Sequence, residues 1–236
     1  MRSEILIVKN ISREGPGILQ EILDEKKISY KIVDLYKNEN LPDPESFSAV
    51  VVLGGPDSAN DKNLKMENEL EFIKRTINLG IPYLGICLGL QTLVKSAGGK
   101  VIKSPVKEIG FKDPAGKNFE VELTESGKKD LLFNGLGNKF KVFHLHGETV
   151  ELTNEMTLLA EGNYCRNQIV KFGRNAYGLQ CHFELTGQMF NQWLDEDADL
   201  KEMMRETLTK DYKKIKTEYE NTGRKLFENF IKISGF

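Results

Sequence analysis

The segment that decides the fold is Pro82-Tyr83-Leu84-Gly85-Ile86-Cys87-Leu88-Gly89-Leu90-Gln91. The apolar run Ile81–Ile86 is typical of a buried strand, and residues 88–97 have the composition of a helix that leaves it. Cys87 lies at the joint between two glycines, as in the sharp strand-to-helix turn that presents a nucleophile. The positive end of the helix macrodipole favours a thiolate there. A lone cysteine in an apolar strand is usually a packing residue, but the glycines and the change of element favour a nucleophile.

Around this segment, the first hundred residues alternate between strands and helices. Strands are predicted over Glu4–Val8, Ser29–Leu35 and Ala49–Leu53, and helices over Ile18–Lys27, Leu64–Leu79 and Leu88–Ala97. The β-branched run at residues 49–53 is typical of a strand that is buried on both faces of a parallel sheet. Such alternation predicts a doubly wound α/β sheet, in which ligands bind at the carboxyl ends of the strands. Gly54-Gly55 and Cys87 both follow strands, so we expect them at one site.

The second half of the chain differs in its pattern of apolar residues. Short alternating runs up to Glu184 predict antiparallel or edge strands: Val101–Ile102, Phe119–Leu123, Phe140–Leu145, Met156–Ala160, Gln168–Phe172 and Ala176–His182. Beyond Leu185 the chain is highly charged, with apolar residues at helical spacing. The predicted fold class is α/β, with a doubly wound, mostly parallel central sheet, flanking helices, an antiparallel strand extension and a C-terminal helical tail. We expect one domain over residues 1–185 and a helical extension, residues 186–236, packed on it.

Composition excludes several classes of protein. The 33 basic and 35 acidic residues give a net charge of −2, so no global field attracts nucleic acid or an anionic membrane. No apolar run approaches the roughly 20 residues that span a bilayer. The first residues, Met1–Glu4, lack the pattern of a signal peptide, and the three cysteines show neither CxxC spacing nor an even number. A cytoplasmic protein is predicted, with no nucleic-acid partner and no membrane partner.

A cysteine nucleophile needs a base, and the sequence offers only His144, His146 and His182. In extended chain, residues i and i+2 point to the same side, so Glu184 could orient His182 while the imidazole accepts the thiol proton. His144 and His146 share a face by the same rule. A zinc site built from histidines and cysteine is the main alternative, but neither HxxxH nor CxxC spacing supports it. We therefore expect no metal and no cofactor; a packing role is favoured for His144 and stays open for His146.

The combined motifs resemble those of the class I (triad) glutamine amidotransferases. Gly85-Ile86-Cys87-Leu88-Gly89-Leu90-Gln91 carries the resemblance, with Gly54-Gly55-Pro56 before it and His182-Phe183-Glu184 after it. The segment Phe143-His144-Leu145-His146-Gly147-Glu148 resembles the H-G-D region of the amidotransferase part of GMP synthetase. Similarity extends in the same order from the first strand to Glu184, and stand-alone GMP-synthetase-like amidotransferases are the most similar group. Two departures are Phe183 in place of the usual proline and Glu148 in place of aspartate.

The resemblance implies a role for each matching residue. Cys87 would attack the γ-amide carbon of glutamine to form a γ-glutamyl thioester, with His182 moving the proton and Glu184 orienting His182. The backbone N–H groups of Gly55 and Leu88 would form the oxyanion hole. The substrate-binding residues implied are Gly54, Gln91, Leu145 and His146.

Three functions remain open at this stage. The first is the supply of ammonia from L-glutamine to an unidentified acceptor on a separate synthetase subunit, since the sequence contains no P-loop motif of its own. The second is a free-standing γ-glutamyl peptide hydrolase with the same thioester chemistry, and the third is a non-catalytic binding or regulatory module. The intact Cys87, His182 and Glu184 disfavour the third. An apolar patch near residues 54–60 or 107–111 would suit a docking synthetase, but neither segment is unusually apolar, and a helical tail that covers this face would disfavour docking.

Overall fold

The computed structural model describes residues 4–236; Met1–Ser3, on which the expectation of no signal peptide partly rests, lie outside the described residues. The strands are β1 (Glu4–Lys9), β2 (Ser29–Asp34), β3 (Ala49–Val52), β4 (Tyr83–Ile86), β5 (Lys100–Gly110), β6 (Glu120–Leu123), β7 (Lys139–Lys141), β8 (His144–Glu151), β9 (Met156–Gly162), β10 (Asn167–Phe172) and β11 (Ala176–Leu179). The helices are α1 (Ile18–Lys26), α2 (Leu64–Asn78), α3 (Leu88–Ser96), α4 (Gly187–Glu196), α5 (Ala198–Lys201) and α6 (Arg205–Ile233).

One large mixed sheet organises the described chain. Its strand order is β2-β1-β3-β4-β11-β10-β9-β6-β7, and the first five of these strands are parallel. The other four continue the sheet in antiparallel fashion. Every residue of β3 and β4 is buried, as expected of central strands covered by helices on both faces. The predicted fold class, including its parallel centre and antiparallel extension, is confirmed.

Two details of the strand prediction differ from the structure. The run Ala176–His182 was expected to be antiparallel or at an edge; β11 does pair antiparallel with β10, but it lies inside the sheet and its other neighbour, β4, is parallel to it. Its position depends on Gly178, where a Cβ would lie 2.3 Å from Leu90 Cδ1 on the helix above. The run Phe140–Leu145 is divided between β7 and β8, which belong to different sheets because β8 pairs with β5 in a separate two-stranded ladder.

The C-terminal helices pack on the domain rather than extending away from it. Tyr212 of α6 stacks on Phe111 at a centroid distance of 5.7 Å, and Leu208 contacts Gly110. The Lys107 ammonium pairs with Asp199 on α5. The tail therefore covers much of the 107–111 face. None of the helices in residues 4–236 is long and apolar enough to cross a membrane.

Candidate active site

The turn between β4 and α3 holds Cys87 in a strained backbone conformation. Its φ is 53° and its ψ is −104°, values that L-residues rarely adopt, and its N–H donates to the carbonyl of Leu179 at 2.7 Å. A Cβ on Gly85 would lie 2.1 Å from the carbonyl oxygen of Gly89, and a Cβ on Gly89 would lie 2.2 Å from that of Val52. The two glycines are therefore required for a second reason besides the strained backbone at Cys87: α3 passes so close to β3 and β4 that no side chain fits at either position.

His182 and Glu184 form a buried pair beyond the end of β11. The imidazole Nδ1 lies 2.7 Å from Glu184 Oε1, and the Phe183 N–H donates to Glu184 Oε2 at 3.0 Å. The sequence predicted a strand up to His182, but β11 ends at Leu179 and only a single bridge, from His182 to Phe143, continues the pairing. The predicted contact is present, although a short irregular segment forms it. The Tyr219 hydroxyl on α6 donates to the His182 carbonyl at 2.8 Å and fixes that segment.

The surroundings of His182 stabilise its protonated form. Burial alone would lower the pKa of His182, but the charge of Glu184 and the contact with Cys87 outweigh it and raise that pKa well above its ordinary value. Because a carboxylate only accepts, Nδ1 carries a hydrogen and donates it to Glu184. The other nitrogen, Nε2, is buried and has no hydrogen-bond partner among the described residues. The imidazole is thus oriented to exchange a proton at Nε2.

A cavity of about 310 Å³ opens above Cys87. Its lining contains the predicted site residues Gly55, Cys87, Gln91, Leu145, His146 and His182, together with Arg13, Glu14, Pro56, Asp57, Ser58, Gly147, Glu148, Asp197 and Asp199. The predicted residues Gly54, Leu88 and Glu184 lie outside that lining. Gly54 packs beneath the His182 ring, Leu88 begins α3 directly after the nucleophile, and Glu184 lies behind His182.

The polar groups around the thiol include one that the sequence did not suggest. The Gln180 amide nitrogen lies 3.8 Å from Cys87 Sγ, and the Leu145 carbonyl lies at the same distance on another side. Gln91 donates to the Glu148 carbonyl at 3.3 Å and reaches Gln180 at 3.5 Å. Gln180 precedes His182 by two residues, so the same-side rule that selected Glu184 could also have selected it.

Glu14 and Arg13 were also missed, although both lie in the loop that follows the carboxyl end of β1. Ligand sites of open α/β sheets lie beyond such strand ends, so position alone could have drawn attention to them. Arg13 pairs with Asp197 at 2.8 Å, which ties the loop after β1 to the N-terminus of α5. No local pattern predicts that long-range contact.

A second buried cluster, of Glu108, His144 and His146, lies beside the cavity. Within residues 4–236 these three are the only acidic, histidine or cysteine group with donor atoms close enough to hold a metal ion. Glu108 Oε2 lies 2.9 Å from His146 Nε2 and already accepts from the Gln168 amide at 3.1 Å, so a metal would have to displace that donor. Burial, with the charges of the other two histidines, lowers the pKa of His144 well below its ordinary value and keeps it neutral. The expectation of no metal stays a prediction.

The glycine turn after β3 rests on a buried polar network. A Cβ on Gly55 would lie 2.6 Å from Asn10 Cβ, so the turn packs directly on Asn10. Asn10 donates to Glu69 at 3.2 Å, and Lys65 donates to the Asn10 carbonyl at 3.1 Å and to Asp57 at 2.6 Å. Glu69 is fully buried, and burial raises its pKa to about 7, with the Asn10 hydrogen bond and Lys65 opposing the rise.

We expect Glu69→Gln to stabilise the protein at pH 8 relative to the wild type. The pKa of Glu69 rises on folding from 4.5 to about 7. The contribution of protonated Glu69 to the free energy of unfolding is therefore fully present below about pH 4.5 and is lost as the pH rises to 7. Above pH 7 the wild type bears a cost on the order of 2–3 kcal/mol that glutamine avoids. Urea unfolding at pH 5 and pH 8 measures this, with the exposed Glu71→Gln on the same helix as control. A variant less stable than the wild type at pH 8 would contradict it.

The comparisons with known proteins identify the family and agree with the fold. The family model for the class-I glutamine amidotransferases matches residues 18–198. The chain therefore belongs to this family. Its fold is shared with the crystal structure of a glutamine amidotransferase from Thermotoga maritima, at a TM-score of 0.86 and 27% identity, over 98% of this chain and 99% of that one.

Two curated relatives differ in how much of their length this chain covers. A glutamine amidotransferase-like protein of Salmonella typhimurium is 34% identical over 181 residues, which is 74% of this chain and 73% of that protein. A GMP synthase of Borrelia garinii is 29% identical over 191 residues, which is 80% of this chain and 34% of the synthase. The chain thus spans about a third of the GMP synthase it matches.

Proposed function

We propose that the protein hydrolyses the γ-amide of L-glutamine through a thioester on Cys87, releasing glutamate and ammonia. The observation that carries this proposal is the placement of Cys87. Its backbone is held at positive φ over one cavity, which it shares with a histidine whose far nitrogen is fixed by a carboxylate. The cavity volume of about 310 Å³ suits a ligand the size of an amino acid.

In the proposed reaction, Cys87 gives its thiol proton to His182 Nε2, Sγ bonds to the γ-carbon, and the carbonyl electron pair moves to oxygen. That oxyanion would accept from the N–H groups of Gly55 and Leu88. Leu88 is the first residue of α3, and the first amides of a helix have no intrahelical acceptor. The C–N bond then breaks as His182 gives its Nε2 proton to the leaving nitrogen, producing ammonia. Water, deprotonated by His182, attacks the thioester, and glutamate leaves with the thiol restored.

The ammonia acceptor would belong to a separate synthetase subunit in the cytoplasm. This extension rests on the resemblance to the amidotransferase part of GMP synthases, which are named as glutamine-hydrolysing enzymes. Because α5 and α6 cover the 107–111 face, the remaining docking surface is the turn at residues 54–60, where Pro56 and Asn60 are exposed beside the cavity.

The test is product release by the purified chain from L-glutamine, measured as glutamate and ammonia, with γ-glutamyl dipeptides and L-asparagine in parallel. We expect glutamine hydrolysis and no asparagine hydrolysis, because asparagine is one methylene too short to reach Cys87 from the same amino-acid contacts. The chloromethyl ketone analogue of glutamine is applied in a second arm, with the labelled residue located by peptide mass. Cleavage of γ-glutamyl dipeptides alone would replace the proposal by the hydrolase alternative. If the protein showed no turnover of any of these substrates and no labelling at Cys87, both the glutamine hydrolysis and the γ-glutamyl peptide hydrolysis would be rejected.

A further inference from the structure

Glu14 is a buried carboxyl group beside the nucleophile that the reaction above does not use. One point in space, the position of a Cβ on Gly54, lies 2.3 Å from Glu14 Oε2, 3.2 Å from His182 Cε1 and 3.4 Å from Cys87 Cβ. The Glu14 side chain is 4% exposed and lines the same cavity as Cys87 and His182. Its Oε2 has no hydrogen-bond partner among the described residues. A buried polar atom without a partner is costly, so a ligand group is the natural partner for this oxygen.

The position of Glu14 identifies which ligand atom it faces. With the γ-carbon bonded to Cys87 Sγ and the oxygen directed at the Gly55 and Leu88 amides, the amide nitrogen has to lie near His182 Nε2, which protonates it. Nε2 and Cε1 are adjacent atoms of the imidazole ring, and both Cε1 and Glu14 Oε2 lie within 3.2 Å of the position of a Cβ on Gly54. Glu14 also lines the cavity that contains Cys87 and His182. The carboxyl group therefore borders the space where the nitrogen sits before and after the C–N bond breaks.

We propose that Glu14 is a specificity residue that binds the γ-amide –NH2 group and so selects primary amides over γ-glutamyl peptides. The inference rests on the proposed function, because it takes the nucleophile and the oxyanion position from that reaction. A carboxylate oxygen accepts one N–H of the substrate amide. It then accepts from the ammonia that replaces that amide, without forming or breaking a covalent bond itself.

The selectivity follows from the number of hydrogens on nitrogen. The primary amide of glutamine carries two N–H groups, so one can meet Glu14 whichever way the amide is turned. A γ-glutamyl peptide carries one N–H, and its other substituent is carbon, which would have to displace the carboxyl or leave it unpaired. Sites built around a buried hydrogen-bonding group discriminate strongly against ligands that leave the group unpaired.

The charge state of Glu14 supports this assignment near neutral pH. Burial raises the pKa of Glu14 to about 7, the His182 and Arg13 charges oppose the rise, and Glu184 and Asp197 add to it. The ionised form accepts from an amide, whereas the protonated form presents a hydrogen to that amide. The preference for glutamine over a secondary amide is therefore expected to increase as the pH rises through 7.

The experiment measures ligand binding, so that it does not depend on turnover. Calorimetric affinities for L-glutamine and γ-glutamylmethylamide, its N-methyl derivative, are compared in Cys87→Ala and in the double variants that add Glu14→Gln or Glu14→Ala. We expect Cys87→Ala to bind glutamine about tenfold more tightly than the methylamide. Glu14→Ala should remove most of that preference. The isosteric Glu14→Gln should reduce it, because its amide can still accept through oxygen.

The control adds Glu196→Gln, an exposed glutamate of α4 outside the cavity lining, and should leave the ratio unchanged. An unchanged preference in both Glu14 variants, with folding verified by circular dichroism, would overturn the role of Glu14. A second outcome is that the binding preference depends on Glu14 while the wild-type protein releases no ammonia from glutamine. This outcome would uphold the role of Glu14 and reject the proposed hydrolysis. The two proposals therefore fail separately.

Discussion

Cys87→Ala is expected to lower kcat/KM for glutamine by about 10⁴-fold or more, which is the scale seen when the nucleophile of a catalytic triad is removed. Without Sγ no thioester can form, and what remains is the binding and polarisation of the amide. Alanine keeps the Cβ of cysteine, so the strained turn at φ 53° costs the same in both proteins and the fold should be retained. Glutamate release, measured with and without the substitution, reports the effect.

The chain supplies a matched control in Cys165. This cysteine is also buried and contacts Thr149, but burial raises its pKa to about 11, so its thiol stays protonated at neutral pH. Cys165→Ala should retain the activity, and the chloromethyl ketone should not label Cys165 in the wild type. Equal losses in the two alanine variants would assign the effect to folding. Full activity in Cys87→Ala would reject the thioester mechanism.

The part of the site that the sequence predicted consists of residues close together in the chain or placed by a regular element. Cys87 follows directly from a strand, two glycines and a helix, and the structure places it at that junction. The His182–Glu184 contact was predicted from the spacing of two residues and is present at 2.7 Å. Its prediction did not require the correct element, because two residues of extended chain point to the same side within a strand or outside one. The roles given to these residues remain proposals.

The parts that could not be predicted depend on contacts between distant segments. The central position of β11 requires Gly178 to admit Leu90 of α3, and no alternation of apolar residues records such a fit. Glu14 Oε2 has no hydrogen-bond partner among the described residues because the side chain is buried next to Gly54, and this contact exists only after β1 and β3 are paired. The packing of α6 on the 107–111 face could not be predicted either, because helical periodicity shows that a helix has an apolar side but not which surface that side contacts.

The second large effect is expected from Gly89→Ala, which should destabilise the protein by about 3 kcal/mol. In most helices a glycine-to-alanine change at an interior position is favourable by up to about 1 kcal/mol, because alanine is the better helix former. At Gly89 the new Cβ would lie 2.2 Å from the carbonyl oxygen of Val52 and 3.2 Å from its Cβ. Val52 is in β3, which is buried and bonded to strands on both sides, so its backbone cannot move away.

The sign of this change separates two explanations for the glycines around the nucleophile. If they were needed only to permit the strained conformation at Cys87, Gly89, which lies in α3 and lacks a positive φ, would tolerate alanine or gain from it. If α3 has to approach β3 closely, alanine at position 89 lowers the free energy of unfolding, whatever its effect on activity. Urea unfolding of Gly89→Ala decides between them, with Gly137→Ala as control because a Cβ there meets nothing within 4 Å. Unchanged or increased stability of Gly89→Ala would show that the helix can move away from the sheet, and the close approach would then not be what the G-x-C-x-G pattern requires.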